Sequence, residues 1–387
     1  MRDKTEAQAM RGKQLFTFGS GGWVIVLAVI IMIMVAVITM LPQIRAARDR
    51  PPGDGRNPET YGFDLATLAA SEEQLAAGLL HRDRVEALVR PEVVPASDVP
   101  LMNEQRRGKF IVSTDRVIGV VVNGEARAYP LRILNVHEVV NDVLGGKPIL
   151  VTYNPLCDSA AAYDRSNLDG DAPFEFGLSG LMWQSHPLLY DRGAAPGNER
   201  LWSQLLGAAV TDPLGQGDWE LERIPADVTH WSDWRRRHPE TTVLIEPKEN
   251  ELDLYKYVDY SEYRMTDDLR FPVSPLPSNG MDWSLKTPCI VLTGGAEEDA
   301  RIYNVIELLD AASASGRVAT TANGVEYVFR AFADPPAAIL METNDAETGE
   351  PLDVQPLPVY AYWFAWHAVD PDVAVGAVEE DAGAGSG

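Results

Sequence analysis

The sequence predicts an α+β body built mostly from antiparallel strands, arranged as two related half-domains and carried on one N-terminal transmembrane helix. Three observations lead there. One run of 19 residues, 23–41, carries no charge. After it, short β-branched and aromatic runs alternate with Gly, Pro, Asn and Asp turns, without the regular amphipathic helices that a parallel α/β sheet requires. The order of strands and turns in the first part of the body then returns in the second.

Residues 1–22 read as a short cytoplasmic tail. The run WVIVLAVIIMIMVAVITML, 23–41, has Thr39 as its only clearly polar residue. At about 1.5 Å per residue it matches the hydrocarbon thickness of a bilayer. Trp23 suits the interface, and Pro42 is expected to stop the helix. A cleaved signal peptide would have an apolar core of about 7–15 residues and a small-residue cleavage site. Ile44-Arg45-Ala46-Ala47 is a poor site, so an uncleaved single-pass anchor is expected. The flanking cations nearly tie: Arg2, Lys4, Arg11 and Lys13 before the span, Arg45, Arg48 and Arg50 after it. The short tail favours tail inside and body outside, a cell-membrane protein with an extracytoplasmic body.

Residues 42–60, rich in Arg, Pro and Gly, read as a solvated linker. Ser71-Glu72-Glu73-Gln74 resembles a capping box and predicts a short helix over LAAGLL. VIGVVV–Asn123-Gly124–EARAY is the strongest hairpin signal in the chain. LRILNVHEVVNDVL, if helical, places Ile133, His137, Val140 and Leu144 on one face. ILVTY, AAAYDR, FEFGLSG, LLYDR, TTVLIE, CIVLT and VEYVFRAF are further strands. Thr229 to Trp234, followed by an Arg run, predicts a helix whose flanking His230 and His238 are exposed. YWFAWH, 362–367, reads as a final core segment, and residues 373–387 as a disordered acidic tail. The globular body is therefore 61–372, with half-repeats at about 110–245 and 280–372.

The repeat rests on ordered matches. Ala126-Arg127-Ala128-Tyr129 with LRIL answers Ala300-Arg301-Ile302-Tyr303 with VIEL. Gly145-Gly146 leads into PILVTY as Asn323-Gly324 leads into VEYVFR. Asn154-Pro155 precedes SAAAYD as Asp334-Pro335 precedes AAILME. Residues present in one half alone were added for something other than the fold. Ala311 stands at the register of His137, and Asp334-Pro335-Pro336 near that of Cys157. The first half alone thus carries His137, Glu138, Asn141, Asp142, Cys157 and Asp158.

Composition bounds the chemistry. The 387 residues carry a formal charge of −24, unevenly placed. Residues 1–50 hold seven Lys/Arg and three Asp/Glu; the other 337 hold 26 and 54. The acidic body repels phosphate backbones, so nucleic acid is excluded as its partner. It is also poor in lysine, and its acidity reads as solubility in the outer medium. Two cysteines make neither a disulfide scaffold nor a four-thiolate metal site.

The candidate site is His137, Glu138, Asp142, Cys157, Asp158 and His186. An imidazole on an apolar row is commonly a hydrogen-bonded core residue, and a lone cysteine a small buried hydrophobe. Cys289, after Pro288, has the same bland reading. If His137 instead approaches Cys157, the pair suits copper or zinc, or a thiol nucleophile with its base. Two protein ligands are too few for a closed site, so Glu138, Asp142 or His186 would have to join. Copper is the cofactor this pair favours, and a chain without any cofactor fits the composition equally well. Trp183-Gln184-Ser185-His186 and Leu201-Trp202-Ser203-Gln204 are polar, aromatic segments able to line a pocket or lid the core.

These segments also carry a resemblance. Asn57 to Asp64, VIGVVVNGEARAYPLRILNVHEVVND, VTYNPLCDSAAAYDR, FGLSGLMWQSHPLLYDR, LWSQLLGAAV and YWFAWHAVDPD together resemble the domain-of-unknown-function 3179 family over about 57–372. The resemblance implies a membrane-anchored or exported bacterial or archaeal protein. The family pattern at the central turn is Cys-Pro-Leu-Cys followed by Gly-Ser; here Asn154 replaces the first Cys and Asp158 the Gly. A CxxC disulfide is impossible, and any weaker His137/Cys157 site would draw on Asp158 as an oxygen ligand. The expected function is a non-catalytic binding or assembly module. It is held in the lipid bilayer through residues 23–41, with a protein partner at the membrane. A copper-type metal or redox domain, or a hydrolase using Cys157, His137 and Asp142, are the alternatives.

Overall fold

The computed structural model describes residues 22–48, 51–68, 74–105, 109–166, 172–217, 219–245, 255, 258, 260–278, 282–294, 300–313, 315–352 and 356–378. The chain divides into two compact units, Met1–Pro51 and Pro52–Gly387. The tail expected at 1–22 lies, but for Gly22, outside the described residues.

Helix α1 (Gly22–Arg48) contains the apolar span Trp23–Leu41, mean hydropathy 3.3, with none of it buried in protein. It is long and apolar enough to cross a membrane. The helix does not stop at Pro42 but continues for six residues beyond it. Proline removes one N–H from the ladder, at about 3 kcal/mol. The neighbouring bonds survive, and Ala46, Ala47 and Arg48 are strong helix formers.

The body begins with a 3-10 turn (Pro58–Tyr61), capped by the Asn57 side chain on Glu59 N at 3.1 Å. Its first elements are β1 (Leu75–Ala77), β2 (Leu88–Val89), β3 (Val93–Pro95) and α2 (Val99–Gln105). The first half follows: β4 (Arg116–Val122), β5 (Glu125–Pro130), α3 (Leu131–His137), β6 (Val139–Leu144), β7 (Lys147–Asn154) and β8 (Ser159–Asp164). Next come β9 (Glu175–Trp183), β10 (His186–Arg192), β11 (Leu201–Ser203), β12 (Arg223–Ile224), β13 (Ala226–His230), α4 (Trp231–Arg237), β14 (Thr242–Leu244) and α5 (Ser261–Arg264). The second half is β15 (Pro288–Thr293), β16 (Arg301–Asn304), α6 (Val305–Ala311), β17 (Arg317–Ala322), β18 (Val325–Phe332), β19 (Ala337–Asp345), β20 (Leu357–Tyr362), α7 (Trp363–His367) and β21 (Ala374–Val375). Sheets are mostly antiparallel, and the helices after α1 are short, as the residue pattern predicts.

The two halves repeat the same order: a hairpin, a seven-residue helix, then a three-stranded meander. Asn123 (φ 49°) and Gly124 (φ 82°) make the expected turn of the first hairpin. The correspondence runs past the sequence motifs. β13 returns antiparallel onto β4 (Val228 opposite Ile118), and β20 onto β15 (Tyr360 opposite Ile290). Each leads into a helix with tryptophans three apart, Trp231/Trp234 and Trp363/Trp366. β14 and β21 then close parallel on β5 and β16.

The halves interlock. A nine-stranded sheet runs from β6–β7–β8 through β20 to β15 and β16, joined where Tyr360 pairs with Ala160. The turn after β7 receives Tyr362 N on Cys157 O at 2.7 Å. The matching turn after β18 receives His230 Nε2 on Pro335 O at 2.9 Å. One core holds Ile118, Tyr129, Ile133 and Val151 together with Ile290, Tyr303, Leu308 and Phe329.

Several expectations are corrected. Residues 75–77 form a strand, not a helix, because they pair with Leu181–Trp183 and bury Leu75 at that sheet edge. The capping residues Ser71 to Glu73 lie outside the described residues. The helix over 131–144 ends at His137, and Glu138 reverses the chain. Val139–Leu144 is then a strand between β2 and β7, where β-branched side chains fit the pleat. His230 is buried, not exposed. The tail expected at 373–387 begins with β21, which extends the body to at least residue 375; residues 379–387 are outside the described set.

Candidate functional site

Four of the eight described non-glycine residues with left-handed backbone gather in one region: Glu138 (φ 57°), Asp158 (φ 47°), Gln184 (φ 52°) and Ser185 (φ 67°). Each such residue costs on the order of 1–3 kcal/mol, and strain of this kind concentrates where side chains are held for use.

Glu138 caps α3, its N–H on Leu134 O at 2.9 Å, and its carbonyl accepts from Tyr153 N at 2.8 Å. This corner turns its carboxyl into a cavity of about 200 Å³. Asn154 and Leu156 of the turn, Leu181 and Met182 of β9, and Tyr260, Arg270 and Phe271 complete the walls. The carboxyl has no hydrogen bond and no ion-pair partner among the described residues. Burial alone pushes it up to about 8, so near neutral pH it is largely protonated. A wider and shallower depression beside Trp366 is less promising, since its Arg223 is already bound to Leu205 O at 2.7 Å.

The outer wall is pinned. Ser274 N donates to Gln184 Oε1 at 2.8 Å, and Gln184 Nε2 donates to Ser274 O. Lys286 Nζ donates to Tyr263 O (2.6 Å) and Asp268 O (2.7 Å), over the Tyr263 ring. Arg270 stands exposed at the cavity wall, 5.7 Å from the Tyr260 ring and 5.3 Å from that of Tyr263.

The predicted site residues divide. Glu138 and Cys157 come close enough that each carboxylate near the thiol, Asp158 and Glu138, raises its pKa. Burial is the larger cause, and the thiol lies well above its ordinary range. Cys157 Sγ donates to Ser185 O at 3.2 Å. Asp158 is held by both of its oxygens on Arg116 Nη1 (3.0 Å each) and by the Tyr153 hydroxyl (2.6 Å). His186 is fully buried, with Nε2 3.3 Å from Ser203 Oγ, and burial pushes its pKa down to about 4. His137, though next to Glu138, serves other neighbours: Nδ1 donates to Glu86 O at 2.7 Å, and Nε2 meets the Tyr255 hydroxyl at 2.8 Å. Asp142 is bound by Arg127 (2.6 Å), the Tyr129 hydroxyl (2.8 Å) and Val143 N (2.7 Å). Among the described residues no group of three or more His, Cys, Asp or Glu side chains is placed to hold a metal ion.

A protein-family model described as "Protein of unknown function (DUF3179)" matches residues 91–373. The chain belongs to the DUF3179 family. The match starts after the apolar helix, so it bears on the body and not on that helix. No curated protein and no solved structure matches the chain. Asn154 Nδ2 and Cys157 Sγ converge on a single acceptor, Ser185 O, at 3.1 and 3.2 Å.

Glu138 was visible in sequence as a residue of one half only; in the other half Ala312 holds its place, with an ordinary φ of −67°. Tyr260, Arg270 and Phe271 carried no signal, because they lie on an irregular segment far along the chain. Cys157 is expected to react with iodoacetamide at least about a hundredfold more slowly than a model thiol in the folded chain, and at the model rate once unfolded. A native rate equal to the model thiol would show an accessible thiolate.

Proposed function

We propose that the chain is a membrane-anchored, extracytoplasmic binding module that takes a small ligand in the Glu138 cavity. One observation carries this reading: a carboxyl group held on strained backbone, without a protein partner, facing a lined cavity. Evolved interiors satisfy their polar groups, so a group left open at a cavity is open for something that comes and goes. Binding is favoured over acyl-transfer chemistry by the protonated, buried thiol of Cys157, and by the burial of both His186 and Ser203 away from any substrate. The apolar span at 23–41 and the acidic body support the anchored, outward-facing placement.

The test is a fragment screen by ligand-observed NMR on the full-length chain in nanodiscs. Leu156→Trp fills the cavity and is expected to abolish the hits while keeping the wild-type melting temperature. Hits that survive in a folded Leu156→Trp protein overturn the reading. Protease added outside intact cells is expected to cleave the body and to leave residues 1–22 protected.

A further inference from the structure

We propose that the Glu138 cavity takes a small carboxylate-ended molecule, its anion on Arg270 and a neutral hydrogen-bond acceptor at its other end on Glu138. The inference rests on the cavity being a ligand site and adds the chemical class.

Arg270 is the first argument. In a body carrying 54 acidic and 26 basic residues, no carboxylate of the described residues pairs with it. It is exposed at the cavity wall, stacked near Tyr260 and Tyr263, and a guanidinium with a free fork matches a carboxylate. Glu138 is the second. Among the described residues no cation or N–H donor reaches its carboxyl, so an ionised form would stand uncompensated by them, and the neutral acid is a hydrogen-bond donor. Both residues line the cavity, yet no ion pair joins Arg270 to Glu138. The two groups therefore stand apart on the cavity wall, with the Tyr260 ring, also on that wall, 5.7 Å from the guanidinium. One carboxylate does not meet both, and a two-ended ligand does. Leu156, Leu181, Met182 and Phe271 line the cavity with apolar surface suited to an aliphatic spacer. A volume of about 200 Å³ holds roughly eight to ten heavy atoms, since a dry cavity of about 150 Å³ takes a benzene.

The probes are 4-oxopentanoate, pentanoate, 2-pentanone and 5-aminopentanoate, titrated by NMR against the full chain in nanodiscs. The oxo acid is expected to bind at least about tenfold tighter than pentanoate or 2-pentanone, each of which lacks one end. Arg270→Gln removes the advantage over 2-pentanone. Raising the pH from 6.5 to 9 weakens the oxo acid, because ionised Glu138 no longer donates; in Glu138→Gln this pH dependence disappears. Cys157 and Tyr260, the titratable groups facing Glu138, are both raised by burial above their ordinary ranges and do not supply it. An oxo acid no tighter than the ketone overturns the class while leaving the cavity a ligand site. So does 5-aminopentanoate binding tightest with affinity rising with pH. If none of the probes and no fragment binds, the cavity reading itself fails.

Discussion

Glu138→Gln is expected to leave stability nearly unchanged at pH 5 and to raise it by about 2–3 kcal/mol relative to wild type at pH 8.5. The sign follows from the direction of the shift. The ordinary carboxyl value is 4.5, and burial pushes the folded one up to about 8. Between these values the folded state holds a proton that the unfolded state has released, so stability falls as pH rises. It is fully present below about 4.5 and lost through about 8, above which both states are ionised. The full linkage would be about 5 kcal/mol, and water entering the cavity reduces it. Glutamine keeps the shape without the charge. His186 works in the opposite sense: burial holds its ring neutral down to about 4, so wild type and variant alike lose stability as pH falls from 6.5. The difference between two thermal melts, taken across pH 5 to 9 on full-length protein in nanodiscs, isolates Glu138. A difference that does not grow with pH would show that the carboxyl is solvated and ionised in the folded chain.

Asp158→Ala is expected to destabilise the body by about 3–5 kcal/mol, the largest single effect at this turn. The residue accepts from Arg116 and from the Tyr153 hydroxyl, both nearly closed off from water. Removing it leaves a guanidinium and a phenol without acceptors in the interior. The paired change Arg116→Met with Asp158→Leu removes both charges and is expected to recover most of the loss, since a buried ion pair adds little over a packed apolar one. Chemical unfolding of the three proteins checks this. A loss below about 1 kcal/mol in Asp158→Ala would mean that water replaces the carboxylate. A folded but unstable Asp158→Ala protein also separates this structural role from one as a metal ligand.

Particular elements show what a linear reading reaches. The Asn123-Gly124 hairpin was legible because its turn demands positive φ at two positions that those residues adopt readily. The repeat was legible because hairpin, helix and meander leave their own turn and periodicity marks twice. The stretch 131–144 misled, because Ile133, His137, Val140 and Leu144 satisfy a helical period while lying on a helix and a strand. LAA at 75–77 misled in the same way: its strand exists only because β9 offers an edge.

The sequence by itself determined what local forces decide: the apolar span, the strand-rich class, the duplicated half and the set of residues found in one half only. Tertiary structure alone decided which of those residues share a site. His137 and Glu138 are neighbours in the chain, yet a single left-handed residue at the end of α3 sends the imidazole to Glu86 and Tyr255 and the carboxyl into the cavity. Arg270 and Tyr260 join that cavity from more than a hundred residues away. Burial and charge there depend on what surrounds a group in space, and no spacing along the chain encodes that.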